Sequence, residues 1–321
     1  MNPNPEAPRI VVIGESLVDV VQDDGRQATV EHPGGSPMNV AVGTARLGMP
    51  TTLVTAFGND RRGQVIEHHL TANGVHVINA GAARTSTAGA RIGTDGSATY
   101  SFDIGWDIST SVDAARSTAP AHFHTGSIAT VLAPGCHDVL DLLEQVRDSS
   151  TISFDPNCRP TITPDRDEAR QTVERFVVLS DIVKASDEDL AWLYPGTELT
   201  DVMDAWLTLG AGLVVVTCGS EGSLAATASA HVTGEAAPVN VVDTVGAGDS
   251  FMAALLAGLR WCGVLGTDDR SRIAALDHLT VQQLLSFAAT AAAITCSRAG
   301  ANPPSLSEVA AVEGVPWKLL A

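Results

Sequence analysis

The run Asp243-Thr244-Val245-Gly246-Ala247-Gly248-Asp249-Ser250-Phe251 holds the densest chemistry in this 321-residue sequence. Apolar residues precede it (Val239, Val241, Val242), and a small, apolar run follows from Met252 to Leu259. The pattern predicts a strand, a glycine-rich turn and a helix. Glycines at such a turn let backbone N–H groups converge on one point, and a helix N-terminus adds roughly half a positive charge there. That is an anion site. Asp249 sits inside it, where a carboxylate repels a phosphate unless it accepts a proton during phosphoryl transfer. The alternative is a helix cap in a tight turn, and this turn alone leaves the two level.

A second glycine-rich turn enters a helix at Gly34-Gly35-Ser36-Pro37-Met38-Asn39. Glycines there allow close approach of a ligand to the backbone. Asn39 can donate and accept, which suits sugar hydroxyls, and Asp19 can accept from two neighbouring hydroxyls. Each is weak alone, since Asn39 also fits an ordinary first helical turn.

Inspection excludes the P-loop and argues against a dinucleotide fold and so against an NAD-dependent dehydrogenase. The sequence contains only two lysines, Lys184 and Lys318, and neither follows a GxxxxG run or precedes Ser or Thr, so there is no P-loop. Lys184 lacks the glycine-rich loop and HRD context of a protein kinase. The third glycine of a dinucleotide fingerprint is missing after Gly246-Ala247-Gly248, and Asp249 would face the pyrophosphate.

A net charge of −18 argues against a nucleic-acid surface. The five cysteines form no CxxC pair, which fits free thiols in a reducing cytoplasm. The polar, proline-rich start is unlike a signal peptide. The alanine-rich stretch near Ala288 reads as a buried helix, and no membrane span is expected. His122 and His124 would share one strand face, with no third metal ligand apparent.

The elements that must position these residues follow an α/β rhythm. Strands are expected at Arg9–Ile13, Thr51–Phe57, His122–Thr125, Thr151–Phe154, Ile182–Lys184 and Leu213–Thr217. Helices are expected from Gly34 through Leu47 and at Gly63–Ala72, Pro134–Val146, Arg166–Leu179, Asp187–Leu193, Gly248–Cys262 and Val281–Cys296. The alternation predicts a doubly wound, mostly parallel sheet. Two polar hairpin regions, about 17–32 and 86–108, lie outside that rhythm. The second turns at Thr94-Asp95-Gly96, a hairpin signal. The pair could form a small sheet over the binding edge.

Together these residues resemble the PfkB/ribokinase family of carbohydrate kinases. Gly34-Gly35, Asn39, Ala41, Gly48 and Gly58 match the spacing of its N-terminal signature. Asp243-Thr244, Gly246-Ala247-Gly248-Asp249 and Ala253-Ala254-Leu255 match its C-terminal one. The resemblance implies a single domain over 1–321, a ribokinase-like three-layer α/β/α sandwich with a small β-sheet lid.

It also implies roles. Asp249 becomes the catalytic base, and the turn of Gly246, Ala247, Gly248 and Asp249 an anion hole for the transferring phosphoryl. Asp155-Pro156-Asn157-Cys158-Arg159 resembles a DPNxR segment, with Arg159 balancing phosphate or substrate charge. Asp19, Gly34, Gly35 and Asn39 become sugar contacts, with Arg91 and Phe102 on the lid. Lys184, Thr217, Gly219 and Gly222 fall to the nucleotide side, and Ala288, Ala292 and Asn302 to the adenine border. Lys184-Ala185-Ser186-Asp187-Glu188-Asp189 resembles the segment whose acid orients hydrated magnesium, which leaves Asp189 or Glu188 for that role. Some members hold a monovalent cation, here K+, near Asp243, Val245 and Gly300. The implied ligands are ATP, Mg2+ and a sugar. Many members form homodimers through the lid.

Gly14-Glu15, the GGSPxN form, DPNxR and Lys184-x-Ser186 look most like fructokinases and are partly shared with 2-keto-3-deoxygluconate kinases. Pro37 departs from the ribokinase-like pattern. The expected reaction is phosphorylation of fructose at its 6-hydroxyl, with ribose or 2-keto-3-deoxygluconate as alternatives. A non-catalytic sugar sensor would be expected to have damaged the GAGD turn, which is intact.

Overall fold

A computed structural model describes residues 9–23, 28–92, 98–266 and 269–314; side chains at 23, 28, 91, 92 and 98–100 lie outside that description. The expected turn at Thr94-Asp95-Gly96 lies outside it too.

The strands are β1 (Ile10–Ile13), β2 (Leu17–Asp23), β3 (Ala28–Gly34), β4 (Thr51–Thr55), β5 (His76–Asn79), β6 (Thr87–Ile92), β7 (Ala98–Asp103), β8 (His122–Gly126), β9 (Thr151–Asp155), β10 (Ile182–Ser186), β11 (Leu213–Thr217), β12 (Ser223–Thr227) and β13 (His231–Gly234). The helices are α1 (Ser36–Arg46), α2 (Arg61–Ala72), α3 (Val112–Ser117), α4 (Gly135–Val146), α5 (Arg166–Leu179), α6 (Asp187–Leu193), α7 (Leu199–Leu209), α8 (Ala247–Trp261), α9 (Arg270–Ala274), α10 (His278–Cys296) and α11 (Leu306–Ala310).

The large sheet runs β13-β12-β11-β10-β9-β8-β1-β4-β5. It is parallel except where β12 meets β11 and β13. Strand β1 and residues Leu213–Val216 of β11 are apolar and buried on both faces, as strands covered on both sides are. Ile10 and Val12 of β1 pack with α1, α8 and α10, while Val11 and Ile13 pack with α4 and α5. Leu213 and Val215 of β11 alternate with Val214 and Val216 in the same way. The result is a three-layer α/β/α sandwich.

The smaller sheet runs β3-β2-β6-β7. Its centre is a parallel pairing of β2 with β6, flanked by two antiparallel pairs. The two polar excursions therefore pair with each other. Helix α10 has the length and composition to cross a membrane, but Leu284, Leu285, Phe287 and Ala288 bury it in the core beside α8.

One expected element does not form. The Val239–Val242 run preceding the GAGD turn is not a strand; residues 235–245 are irregular. Val241 and Val242 are 62% and 65% exposed. An apolar run predicts burial, and here Val241 and Val242 stay largely uncovered by the described residues.

Candidate active site

The order of the large sheet reverses beside β1, which lies between β8 and β4. Such a switch point opens a crevice at the carboxyl ends of the strands. Glu15 follows β1, Ser127 follows β8, Asn157 and Arg159 follow β9, Ser186 ends β10 and Cys218 follows β11. All of them line one hollow of about 730 Å³. Leu17, Asp19, Ala88 and Phe102 of the smaller sheet close its other wall.

A second hollow of about 720 Å³ adjoins it, lined by Ala236, Val239, Val241, Phe251, Ala289, Ala292, Ala293 and Cys296 among others. The two share Thr217, Gly219, Ser220, Thr244 and Gly248. One hollow is polar and the other is walled by apolar side chains. They meet at the N-terminus of α8.

At that junction Gly246 has φ 75°, the left-handed region, and α8 begins at Ala247. The first backbone N–H groups of a helix have no intrahelical acceptor, so this end can receive an anion. Asp249, in the first turn, is 8% exposed. Its Oδ1 accepts from Ser36 Oγ at 2.6 Å and its Oδ2 from Asn39 Nδ2 at 2.8 Å. Two glycine turns more than 200 residues apart thus meet through one carboxylate. Asn39, expected to face sugar hydroxyls, spends an amide hydrogen on Asp249.

The sugar-side residues expected from the sequence converge on the polar hollow. Gly35 has φ 114°, and a Cβ there would lie 2.5 Å from the Glu15 carbonyl oxygen. A Cβ on Gly34 would lie 2.1 Å from Asp19 Oδ2. Only glycine lets β2 and the α1 turn approach this closely. Burial raises the Asp19 carboxyl above its ordinary range, partly offset by His32 and Arg159. Phe102 lines the hollow and is 43% exposed. Arg91 has its backbone in β6, and its side chain lies outside the described residues.

Arg159 donates from Nη1 to the Asn157 carbonyl and side-chain oxygens and to the Cys158 carbonyl. Its charge lowers Glu15 and Asp19, and all three line the polar hollow. Lys184 is buried and donates to Asp155 Oδ2 at 2.7 Å. The position of a Cβ on Gly248 would be 3.1 Å from its Nζ.

The two acids of α6 differ. Asp189 forms a capping box with Ser186, and its Oδ1 accepts from the Cys158 N–H at 2.7 Å. Both its oxygens are therefore engaged. Glu188 is exposed and lines the polar hollow. Asp243 accepts from the N–H groups of Val245 and Gly300, at 3.0 and 2.8 Å. Those bonds hold its carboxyl below the ordinary range and tie two loops together.

Thr217, Gly219, Gly222 and Ala292 line the apolar hollow. Two expected adenine-border residues do not. Ala288 is fully buried in the core, and the neighbours that face the hollow are Ala289, Ala292 and Ala293. The side chain of Asn302 accepts from Arg46 Nη1 at 2.6 Å, which ties it to α1.

Sequence reasoning missed Glu15, Ser36 and Asp155 as site residues. Ser36 lies between two residues already singled out, and that was the available signal. Glu15 and Asp155 gain their settings only from strands that pair across the sheet. His122 and His124 share a face, as expected, and bond to Thr151 and Ser153. Burial pushes both down to about 3, so they are neutral.

The chain matches the pfkB family carbohydrate kinase model over residues 7–308. It is 34% identical over 279 residues to a fructokinase of Rhizobium leguminosarum bv. trifolii, covering 84% of each chain. Its fold resembles the ATP-bound fructokinase of Xylella fastidiosa, with a TM-score of 0.83 and 26% identity over 94% of this chain and 97% of that one. It also resembles a double mutant of the Vibrio cholerae O395 fructokinase bound to fructose, ADP and potassium ion, with a TM-score of 0.79 and 28% identity over 95% and 97%. With the family model spanning nearly the whole sequence and a fructokinase among its relatives, this chain belongs to the pfkB family of carbohydrate kinases.

Proposed function

We propose that this protein transfers the γ-phosphoryl group of ATP to the 6-hydroxyl of D-fructose. One observation carries the reading: Asp249 lines the polar hollow next to Gly248, which both hollows share, at the helix end that would receive the phosphates. The sugar occupies the polar hollow against Asp19, Gly34, Gly35 and Arg159, with Phe102 above it. The base lies between the Val239–Val241 loop and Ala289, Ala292 and Ala293.

Asp249 accepts the proton of the attacking hydroxyl. The N–H groups of Ala247, Gly248 and Asp249 receive the transferring phosphoryl, with the Lys184 ammonium behind them. Glu188 suits a magnesium water, since it is exposed in the hollow while Asp189 has both oxygens engaged. Bound magnesium would neutralise charge developing on the phosphates. The Asp243–Gly300 clasp is where K+ would order the loops, through backbone carbonyls.

Closure of the smaller sheet over the sugar would exclude water from the γ-phosphate. ADP release measured with fructose, 2-keto-3-deoxygluconate, ribose, adenosine and fructose 6-phosphate tests the assignment. Fructose is expected to give the highest kcat/KM. A preference for ribose would overturn the choice of sugar, and no ADP with any acceptor would overturn catalysis.

A further inference from the structure

Asp249 presents two oxygens that are not equivalent. Oδ2 accepts from an amide, Asn39 Nδ2, at 2.8 Å, and Oδ1 accepts from a hydroxyl, Ser36 Oγ, at 2.6 Å. An amide nitrogen can only donate. A hydroxyl can donate or accept, and its hydrogen rotates without moving a heavy atom.

Protonating an oxygen removes most of its capacity to accept. If Oδ2 took a proton, the buried Asn39 amide would face an O–H and lose its acceptor, at the cost of an unmade buried hydrogen bond. Asn39 is 8% exposed, so its amide has little room to turn. If Oδ1 took the proton, Ser36 could swing its hydrogen away and present a lone pair instead. Ser36 is only half-buried and lines the polar hollow, so its hydrogen has space to swing into.

From this asymmetry, and resting on the kinase reading above, we infer that Oδ1 is the proton-accepting oxygen and that Ser36 is a positioning residue whose hydroxyl reverses during transfer. The sugar hydroxyl oxygen forms a bond to the γ-phosphorus, and the bond from that phosphorus to the bridging oxygen breaks, leaving its electron pair on ADP. The hydroxyl proton passes to Asp249 Oδ1. Ser36 Oγ–H, a donor to the carboxylate before the step, becomes an acceptor to the carboxylic acid after it. The proton leaves to water when products depart. Asn39 stays a donor to Oδ2 throughout and keeps the carboxylate plane fixed.

Steady-state kinetics of Ser36→Ala, Ser36→Thr and Ser36→Cys, with melting curves for each, test this. Ser36→Ala is expected to lower kcat roughly ten- to a hundredfold, the worth of a hydrogen bond to a charged group, with sugar KM nearly unchanged. Ser36→Thr, which keeps the hydroxyl, is expected to recover most of kcat. Ser36→Cys, a weaker donor of similar size, falls between them and serves if threonine does not fit before Pro37. A wild-type kcat in folded Ser36→Ala overturns the inference. So does an effect confined to KM, or equal losses in the alanine, threonine and cysteine variants. Absence of ADP release from the wild type with every sugar is a separate result, and it overturns the kinase reading itself.

Discussion

Lys184 Nζ lies 2.7 Å from Asp155 Oδ2, and both side chains are buried. Burial opposes the lysine's charge, but Asp155, Asp189 and Asp249 outweigh it and hold the ammonium above its ordinary range. Asp155 Oδ1 has no hydrogen-bond partner among the described residues, so this carboxylate depends on Lys184 alone. The pair stands beneath Gly248, where a fixed positive charge would act on a transferring phosphoryl group.

Removing one partner strands a buried charge. Asp155→Ala is expected to cost about 3–5 kcal/mol of stability, measured by urea unfolding. The double variant Asp155→Leu/Lys184→Met removes both charges and should regain much of that stability. Its turnover should nonetheless stay about 10²–10³-fold down, as for loss of one preorganised donor. Wild-type turnover in the double variant would show the pair to be structural only.

Asp249→Asn should separate folding from chemistry. The substituted amide keeps an oxygen for Asn39 to donate to, and its NH2 group can donate to a turned Ser36 hydroxyl. Melting temperature is therefore expected to stay close to wild type, while kcat falls about 10²–10⁴-fold. Near-normal turnover would remove Asp249 from the role of base.

Much of this architecture was legible in the sequence because its signals are local. Alternating strands and helices fixed the sheet, and glycine turns fixed the places where backbone must come close. What was not legible depended on contacts across the chain. The Val239–Val242 run has the composition of a strand, yet Val239 and Val241 wall a hollow. Helix α10 is small and apolar on nearly every side, so periodicity could not show that Ala288 faces the core while Ala289 and Ala292 face the hollow. Asn302 is expected at the adenine border, yet Arg46, distant in sequence, ties its side chain to α1. The sequence left Asp189 or Glu188 open for a magnesium water, and only the fold shows that the Asp189 oxygens are taken up by Ser186 and Cys158.

That one-residue difference on α10 can be tested directly. Ala292→Leu adds bulk to the wall of the apolar hollow. It should raise the KM for ATP about tenfold or more, with sugar KM unchanged. Ala288→Leu adds the same bulk to a filled core and should cost about 1–3 kcal/mol of stability, with little change in the KM for ATP. The opposite pattern would restore Ala288 to the nucleotide border.

Gly246 combines a left-handed backbone with a crowded approach. A Cβ there would lie 2.6 Å from Ala301 Cβ. Gly246→Ala is expected to cost about 1–2 kcal/mol from backbone conformation alone, before the clash. It should also lower kcat, because the turn orients the first N–H groups of α8. Adding Ala301→Gly removes that contact but leaves the backbone Cα of residue 301 at 2.9 Å, so it should recover only part of the stability. Full recovery would mean that crowding, and not φ, demands glycine.

Glu15 supplies a pH-dependent prediction. It is 2% exposed, and its Oε2 accepts from the Ala129 N–H at 3.1 Å. Burial pushes its carboxyl from 4.5 up to about 7, against smaller lowering contributions from hydrogen bonds and Arg159. A carboxyl raised by folding binds its proton more tightly in the folded state. Its contribution to stability is therefore complete below pH 4.5 and is lost as pH rises through about 7. Glu15→Gln keeps the shape and has no charge to desolvate. Relative to that variant, the wild type should lose on the order of 3 kcal/mol between pH 4.5 and 8. Urea unfolding of both proteins across that range measures the difference. A gap between the two that does not change with pH would mean that Glu15 is ionised in the folded protein throughout, with Arg159 and its hydrogen bonds outweighing burial.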